Sequence, residues 1–401
     1  MDAVIVATAR TPIGRAGKGS LIECRPDDLS AGIVQALLAK VPSLDPAEVE
    51  DVIWGTAQPA GEGGYNMARV VALLAGLDKT PGTTVNRYCS SSLQTIRMAA
   101  HAIRAGEGDV FISGGVETVS RFAHGSADGL PGTQNQKFAA ARERTVERRD
   151  GGVPPWTPPV GLPDVYIALG QTAENVADYC NVTREEMDAF ACLSQNRAVE
   201  SQGNGFFERE ITPVTTPDGT VVTTDDGPRP GTTIEKLAAL KPVFRPDGRI
   251  TAGNACPLND GAAAVLVMSE QRANKLGLQP LARIVASGVT ALDPEIMGLG
   301  PIEACRQALA RANLTIDDID LVEINEAFAA QVVPSAKELN IGWEKLNVHG
   351  GAIALGHPFG MTGARIMTTL LNGLDDAGAR YGMESMCIGG GQGMAMIVER
   401  L

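Results

Sequence analysis

The chain has 401 residues, 44% hydrophobic and 20% charged, with a formal net charge of −13. That length calls for two or three packing units, and the apolar and charged fractions are those of a soluble globular protein. The acidic balance excludes a general nucleic-acid binder, which needs a basic face, but allows a local basic pocket for a phosphorylated ligand.

Seven widely spaced cysteines with no CxxC pair argue against a disulfide framework or a zinc knuckle and for a reducing compartment. No metal site is expected. The first ten residues read as a strand, not a signal peptide, and no run approaches a membrane span, so a cytoplasmic protein without a membrane partner is expected.

Ala3 to Thr8 is nearly continuously apolar, as in a strand buried on both faces. Pro26 to Lys40 has helical spacing at Leu29, Ile33, Ala36 and Leu37. Val52 to Gly55 reads as a second strand and Asn66 to Leu74 as a second helix. Thr83 to Val85 leads through a polar turn into a helix with Leu93, Ile96, Ala100 and Ile103 on its apolar face.

Cys89 falls in that turn, where unpaired N–H groups and the helix dipole lower a thiol pKa and favour the nucleophilic thiolate. The alternative is a small buried Cys at a strand–helix junction. Asp109 to Ser113 is the next strand, ending in Gly114-Gly115. Strands alternating with helices imply right-handed crossovers and a mostly parallel, covered sheet.

From about Arg121 the character changes. Turn-rich and charged stretches are followed by Pro154-Pro155 and Pro158-Pro159, which break any regular element. Thr183 and Glu186 form a capping box opening a helix with Met187, Phe190, Ala191, Ser194 and Ala198 on one face. Up to about Pro242 the pattern is that of an inserted subdomain.

The strand–helix rhythm resumes after Ile250, and from Ala282 it repeats the beginning. Ala282 to Ala286 matches Ala3 to Thr8, and Pro301 to Ala312 matches Pro26 to Lys40. Asn347 to Gly363 with the helix after it matches the Cys89 strand–helix, and Ser385 to Ile388 matches Phe111 to Gly115. An offset of about 270 to 280 residues marks an internal duplication. Duplicated α/β halves bring loops at equivalent strand ends to one shared crevice.

That symmetry sets Cys89 opposite the Gly-rich loop Gly350 to Gly360, which carries His357, one of four histidines. His357 can take the Cys89 proton, the pairing that activates a cysteine nucleophile; a loop His bonded to a carbonyl is the alternative. Asn325 follows the strand Leu321 to Ile324 and can orient a water or His357, or serve only as an Asx-turn or helix N-cap. Cys387 ends another strand beside Gly389, Gly390 and Gly391, whose N–H groups carry no side chain; a buried strand Cys is the alternative. His357 stands where a P-loop needs Lys, Gly389 to Gly393 lacks the third Gly of a dinucleotide fingerprint, and GxSxG is absent.

In these residues the chain resembles the thiolases, acyl-CoA C-acyltransferases, over essentially its whole length. The matching blocks are Val85 to Ser91, Gly114 to Glu117, Gly170 to Asn175, Thr251 to Asn254, Asn325 to Phe328, Gly351 to Pro358 and Cys387 to Gly393. The resemblance implies the α/β thiolase fold, two duplicated halves in five αβαβα layers with an inserted loop subdomain. The expected division is 1–120 plus 243–270, the insert 121–242 over the coenzyme A groove, and 271–401.

It also implies that Cys89 carries the acyl group, His357 is its base, and Cys387 moves the α-carbon proton. One oxyanion hole would use His357 and a water held by Asn325, the other the N–H groups of Cys89 and Gly389. Arg229 would meet the nucleotide end of coenzyme A. Ala252, Cys256, Ala327, Phe328 and Leu169 would lie along the bound molecule. Coenzyme A enters as substrate, with no tightly bound cofactor, and a homodimer or homotetramer in fatty-acid metabolism is the expectation.

Ser92, Cys256, Leu169, His349, Phe359 and Met361 depart from the usual thiolase residues. None removes a catalytic group. A decarboxylating ketoacyl synthase would pair its Cys with two His, or with His and Asn, and lack a second catalytic Cys. A non-catalytic acyl-CoA scaffold would have no need of Cys89, His357, Asn325 and Cys387 together.

Overall fold

In the computed structural model, which describes residues 2–401, both repeats join one mixed sheet. Its longer strands are β1 (Ala3–Arg10), β2 (Asp51–Gly55), β3 (Gly82–Val85), β4 (Val110–Thr118), β5 (Asn259–Ser269), β6 (Ala282–Ala291), β7 (Leu321–Ile324), β8 (Tyr381–Ile388) and β9 (Gln392–Arg400). They lie in the order β7-β8-β9-β6-β1-β5-β4-β2-β3.

From the middle outward, half one runs β1-β5-β4-β2-β3 and half two runs β6-β9-β8-β7. The single bridge Val322–Leu346 stands where β3 would be repeated. The strand order is therefore the same twice. The halves join edge to edge at Val4–Arg283 and Ile5–Ala282.

The expectation of a mostly parallel sheet is corrected: only β2–β3, β2–β4 and β7–β8 are parallel among these strands. Pairing of Ile388 with Gln392 leaves just Gly389 to Gly391 between β8 and β9. A parallel return needs a crossover of a dozen or more residues, so β9 comes back antiparallel. Gly390 and Gly391, both at φ +79°, supply the left-handed backbone of that turn.

The helices that matter for the site are α1 (Pro26–Ala39), α2 (Met67–Leu74), α3 (Ser91–Ala105), α4 (Arg184–Gly203), α5 (Gly300–Ala312), α6 (Ala329–Glu338) and α7 (Thr362–Ala377). One core holds α1 and α2 against the outer face of half one, and another holds α5 and α6 against the outer face of half two. A third core lies between the halves, where Leu93, Ile96 and Ile103 of α3 meet Ile366, Met367 and Leu370 of α7. Five layers result. The capping box at α4 is formed: Glu186 N–H donates to Thr183 Oγ1 at 3.2 Å, and Thr183 N–H donates to the Glu186 carboxylate at 2.8 Å.

The two central helices touch at the starts that carry the site. A Cβ on Gly363 would run into the Leu93 backbone. Ser92 Oγ accepts the Ala364 N–H at 2.9 Å, so half one caps a first-turn donor of a helix in half two. Ser92→Ala leaves that N–H buried and unpaired, and should lower stability by about 1–3 kcal/mol in urea unfolding. An unchanged midpoint would refute this cross-half cap.

Between β4 and β5 no segment joins the main path of the sheet. That stretch holds helices at Ala139–Arg149 and Leu169–Tyr179, then α4, and a ribbon of Val214–Thr215 with Val221–Val222.

Candidate active site

Cys89 is aimed by a strained turn. Tyr88 N–H donates to Asn86 Oδ1 at 2.9 Å, while Ser91 Oγ accepts Arg87 N–H at 2.9 Å and donates to Tyr88 O at 2.7 Å. These bonds hold Tyr88 at φ +43°, a left-handed value that a bulky residue rarely adopts. The next residue, Cys89, lies 2% exposed on the wall of a cavity of about 370 Å³.

The His357 loop is fixed from half one. His357 N–H donates to Asn259 Oδ1 at 3.0 Å, and Asn259 Nδ2 donates to Gly14 O at 3.0 Å. Thr362 Oγ1 lies 2.6 Å from His357 Nδ1 and 2.8 Å from Pro358 O. With its one proton given to Pro358 O, that hydroxyl accepts from Nδ1–H. The network thus assigns the lone pair to Nε2, where Asn325 Nδ2 donates at 3.3 Å. Burial, helped by the Arg365 charge, pushes the imidazole down to about 3, so it is neutral at ordinary pH.

Cys387, the last residue but one of β8, has no exposed surface. Its S–H donates to Gln331 Oε1 at 3.0 Å, and Gln331 Nε2 donates to Asn325 O at 3.3 Å. The Asn325 amide oxygen is buried without a partner among the described residues. Burial pushes the Cys387 thiol well up, and the nearness of the ionisable Cys89 and Cys256 thiols adds to the rise. Three sulfurs from distant stretches of chain share one neighbourhood.

The lowered Cys89 pKa expected from its helix-start position is corrected. Burial pushes the thiol up to about 12, and Glu117 adds to the rise. The N–H groups of Gly389 and of Cys89 itself bear on the sulfur and oppose it, but with no cation beside them they do not win. The resting pair is a neutral thiol and a neutral imidazole. Thiolate formation must accompany attack.

Two openings flank this cluster. Cys89, Leu169, Phe359 and Gly389 face the first cavity. A groove of about 310 Å³ is lined by Arg15, Gln195, Arg229, Ala252, Cys256 and Phe244 among others. Burial and the neighbouring Arg15 push the Arg229 guanidinium down, with no carboxylate contributing. Ala327 and Phe328 stand behind the groove: Cys256 N–H donates to Ala327 O at 3.0 Å, and Phe328 packs edge-on to Phe244 at 6.0 Å. Leu169 is thus on the Cys89 side, apart from Arg229, Ala252 and Cys256.

His349 stacks on Phe206 at 3.5 Å and pairs with Ser201 at 3.1 Å, so it is a packing residue. Phe359 instead narrows the cavity beside Cys89. Gln331, Thr362 and Asn259 were missed in the sequence. A buried Gln among the alanines and valines of α6 was the one legible signal.

Glu117, quoted above only as part of a motif, ties the halves together by accepting Ala57 N–H at 2.9 Å and Gly360 N–H at 3.0 Å. Burial pushes its carboxyl up from 4.5 to about 7. The folded chain therefore keeps a proton that the unfolded chain releases. The stability from that proton is full below pH 4.5 and lost as pH rises to about 7. Relative to Glu117→Gln, the urea midpoint of the native protein should fall between pH 5 and 8. A constant difference would contradict a protonated Glu117.

Comparison with known proteins gives the same picture. The family model described as "Thiolase, N-terminal domain" matches residues 3–271, and "Thiolase, C-terminal domain" matches residues 278–400. A β-ketoadipyl-CoA thiolase of Acinetobacter baylyi is 45% identical over 408 residues, covering 100% of this chain and 99% of that one. An acetyl-CoA acetyltransferase of Chromobacterium violaceum is 45% identical over 407 residues, covering 100% of both. The crystal structure of the Bacillus anthracis acetyl-CoA acetyltransferase superposes with a TM-score of 0.86 at 40% identity, covering 100% of this chain and 99% of that one. With both halves matched in order and the duplicated fold in place, the chain belongs to the thiolase family, acyltransferases that work on coenzyme A thioesters.

Proposed function

We propose that this protein cleaves and forms 3-ketoacyl-CoA through an acyl group held on Cys89. The observation that carries this reading is the convergence of two thiols from opposite halves, one of them facing the N–H groups of Cys89 and Gly389. In the cleaving direction, Cys89 attacks the keto carbon as its proton passes to His357 Nε2. The bond between C2 and C3 breaks, and the acetyl-CoA enolate takes the Cys387 proton. Free coenzyme A then gives its thiol proton to Cys387 and attacks the acyl-Cys89. The Cys89 thiolate leaves and regains its proton from His357.

Charge develops on oxygen in both steps and needs preorganised donors. Backbone N–H groups of Cys89 and Gly389 suit one oxyanion. His357, protonated after accepting the Cys89 proton, and Asn325, through a water, suit the other. Arg229 and Arg15, neither of them in an ion pair among the described residues, provide positive charge for the phosphates at the far end of the groove.

Gln195, Arg229 and Leu237 on the groove wall support 121–242 as the insert covering coenzyme A, with 1–120 plus 243–270 and 271–401 as the two halves. The half-exposed edge strand β3 supports pairing with a second copy, as dimer or tetramer. No helix among the described residues is long and apolar enough to cross a membrane; free thiols support a cytoplasmic setting, and the chemistry supports fatty-acid metabolism.

The test follows the magnesium–enolate absorbance of acetoacetyl-CoA. The band should disappear with coenzyme A and the native protein, and persist with Cys89→Ser. A native protein that leaves the band unchanged would instead be an acyl-CoA scaffold.

A further inference from the structure

The cavity beside Cys89 has a wall with one formal charge, and that charge is negative. Asp128 lies on it together with Val165, Ile167, Leu169 and Phe359, and no Lys, Arg or His lines the space. Gln58 fixes the carboxylate from two sides. Its Nε2 donates to Asp128 Oδ2 at 2.7 Å, while its Oε1 accepts Asp128 N–H at 3.0 Å and the Ser126 hydroxyl at 3.0 Å. Burial, then the charge of Asp128, pushes the Tyr88 phenol up, so the residue next to the nucleophile is held as a neutral hydroxyl. Asp128 is thus a built part of the wall, clamped in place.

From this wall we infer that the protein accepts acyl groups without a terminal charge and rejects those ending in a carboxylate, with Asp128 as the residue that sets the choice. The inference rests on the reading that Cys89 is the acyl carrier. Cleavage between C2 and C3 leaves the C3-to-end fragment on Cys89, and the cavity at Cys89 is the space that fragment enters. A 3-ketohexanoyl substrate leaves a butyryl group, whose apolar end meets Val165, Ile167 and Leu169. A 3-ketoadipyl substrate of the same chain length leaves a succinyl group. Its carboxylate enters a partly enclosed cavity that offers a fixed like charge and no cation, and a specificity difference arises from that unpaired repulsion.

The experiment compares kcat/KM for acetoacetyl-CoA, 3-ketohexanoyl-CoA and 3-ketoadipyl-CoA with the native protein and with Asp128→Asn and Asp128→Lys. The native protein should favour 3-ketohexanoyl-CoA over 3-ketoadipyl-CoA by about tenfold or more. Asp128→Asn should narrow that ratio several-fold and Asp128→Lys should narrow it further. Raising the salt on the native protein should also narrow it, by screening, which gives a readout free of any folding defect. Equal or better use of 3-ketoadipyl-CoA by the native protein, or a ratio unmoved by Asp128→Asn and by salt, would overturn the inference. Overall activity separates the two readings. No turnover of any of the three substrates, or turnover that survives Cys89→Ser, defeats Cys89 as acyl carrier. Cys89-dependent turnover with a preference for 3-ketoadipyl-CoA defeats only the role of Asp128.

Discussion

Cys387→Ala should still take up an acyl group on Cys89, yet lose carbon–carbon bond cleavage by about 10³-fold. Positioned acid–base groups contribute about 10²–10⁴-fold, and this thiol is the proton source proposed for the enolate carbon. Its resting state suits that task. Burial keeps it protonated, and Gln331 Oε1 at 3.0 Å fixes the direction of its S–H. Acylation of Cys89 needs only the sulfur, His357 and the N–H groups of Cys89 and Gly389. Intact-mass measurement after mixing with acetyl-CoA should show one acetyl group on the variant. An unacylated Cys89 would assign the two thiols wrongly.

His357→Asn should lower kcat/KM by about 10²–10⁴-fold, by removing the base that accepts the Cys89 proton. The pH dependence carries the sharper test. An ordinary imidazole protonates as pH falls through 6.5, whereas burial pushes this one down to about 3. Between those values an exposed His would be a cation, but His357 remains a base. The ring ¹⁵N signals of His357 should hold their neutral pattern from pH 8 to 5, with the proton on Nδ1. A titration centred near 6.5 would contradict the buried, Thr362-anchored tautomer.

Much of this was legible in the sequence because the duplication is written in it. The repeat of strand–turn–helix around Cys89 and His357 set those residues across one crevice, and the identical strand order of the two halves is its structural counterpart. Sheet direction was less legible. β5 and β9 are apolar runs that read like the parallel strands, so an alternating strand–helix pattern hid their antiparallel return. The Cys89 pKa failed for a different reason. A helix start is local information, while the burial that outweighs it comes from residues hundreds of positions away. Gln331 and Thr362 were hidden because each works through a neighbour's proton, which spacing alone does not display.

The claim beneath all of this is that Cys89 and Cys387 act on one thioester. Deuterium entering C2 of acetyl-CoA in D₂O measures it most directly, with acetyl transfer to Cys89 followed in the same sample. The native protein should do both, Cys387→Ala should transfer acetyl without deuterium entry, and Cys89→Ser should not transfer acetyl. Deuterium entering at the native rate in Cys387→Ala would contradict the account.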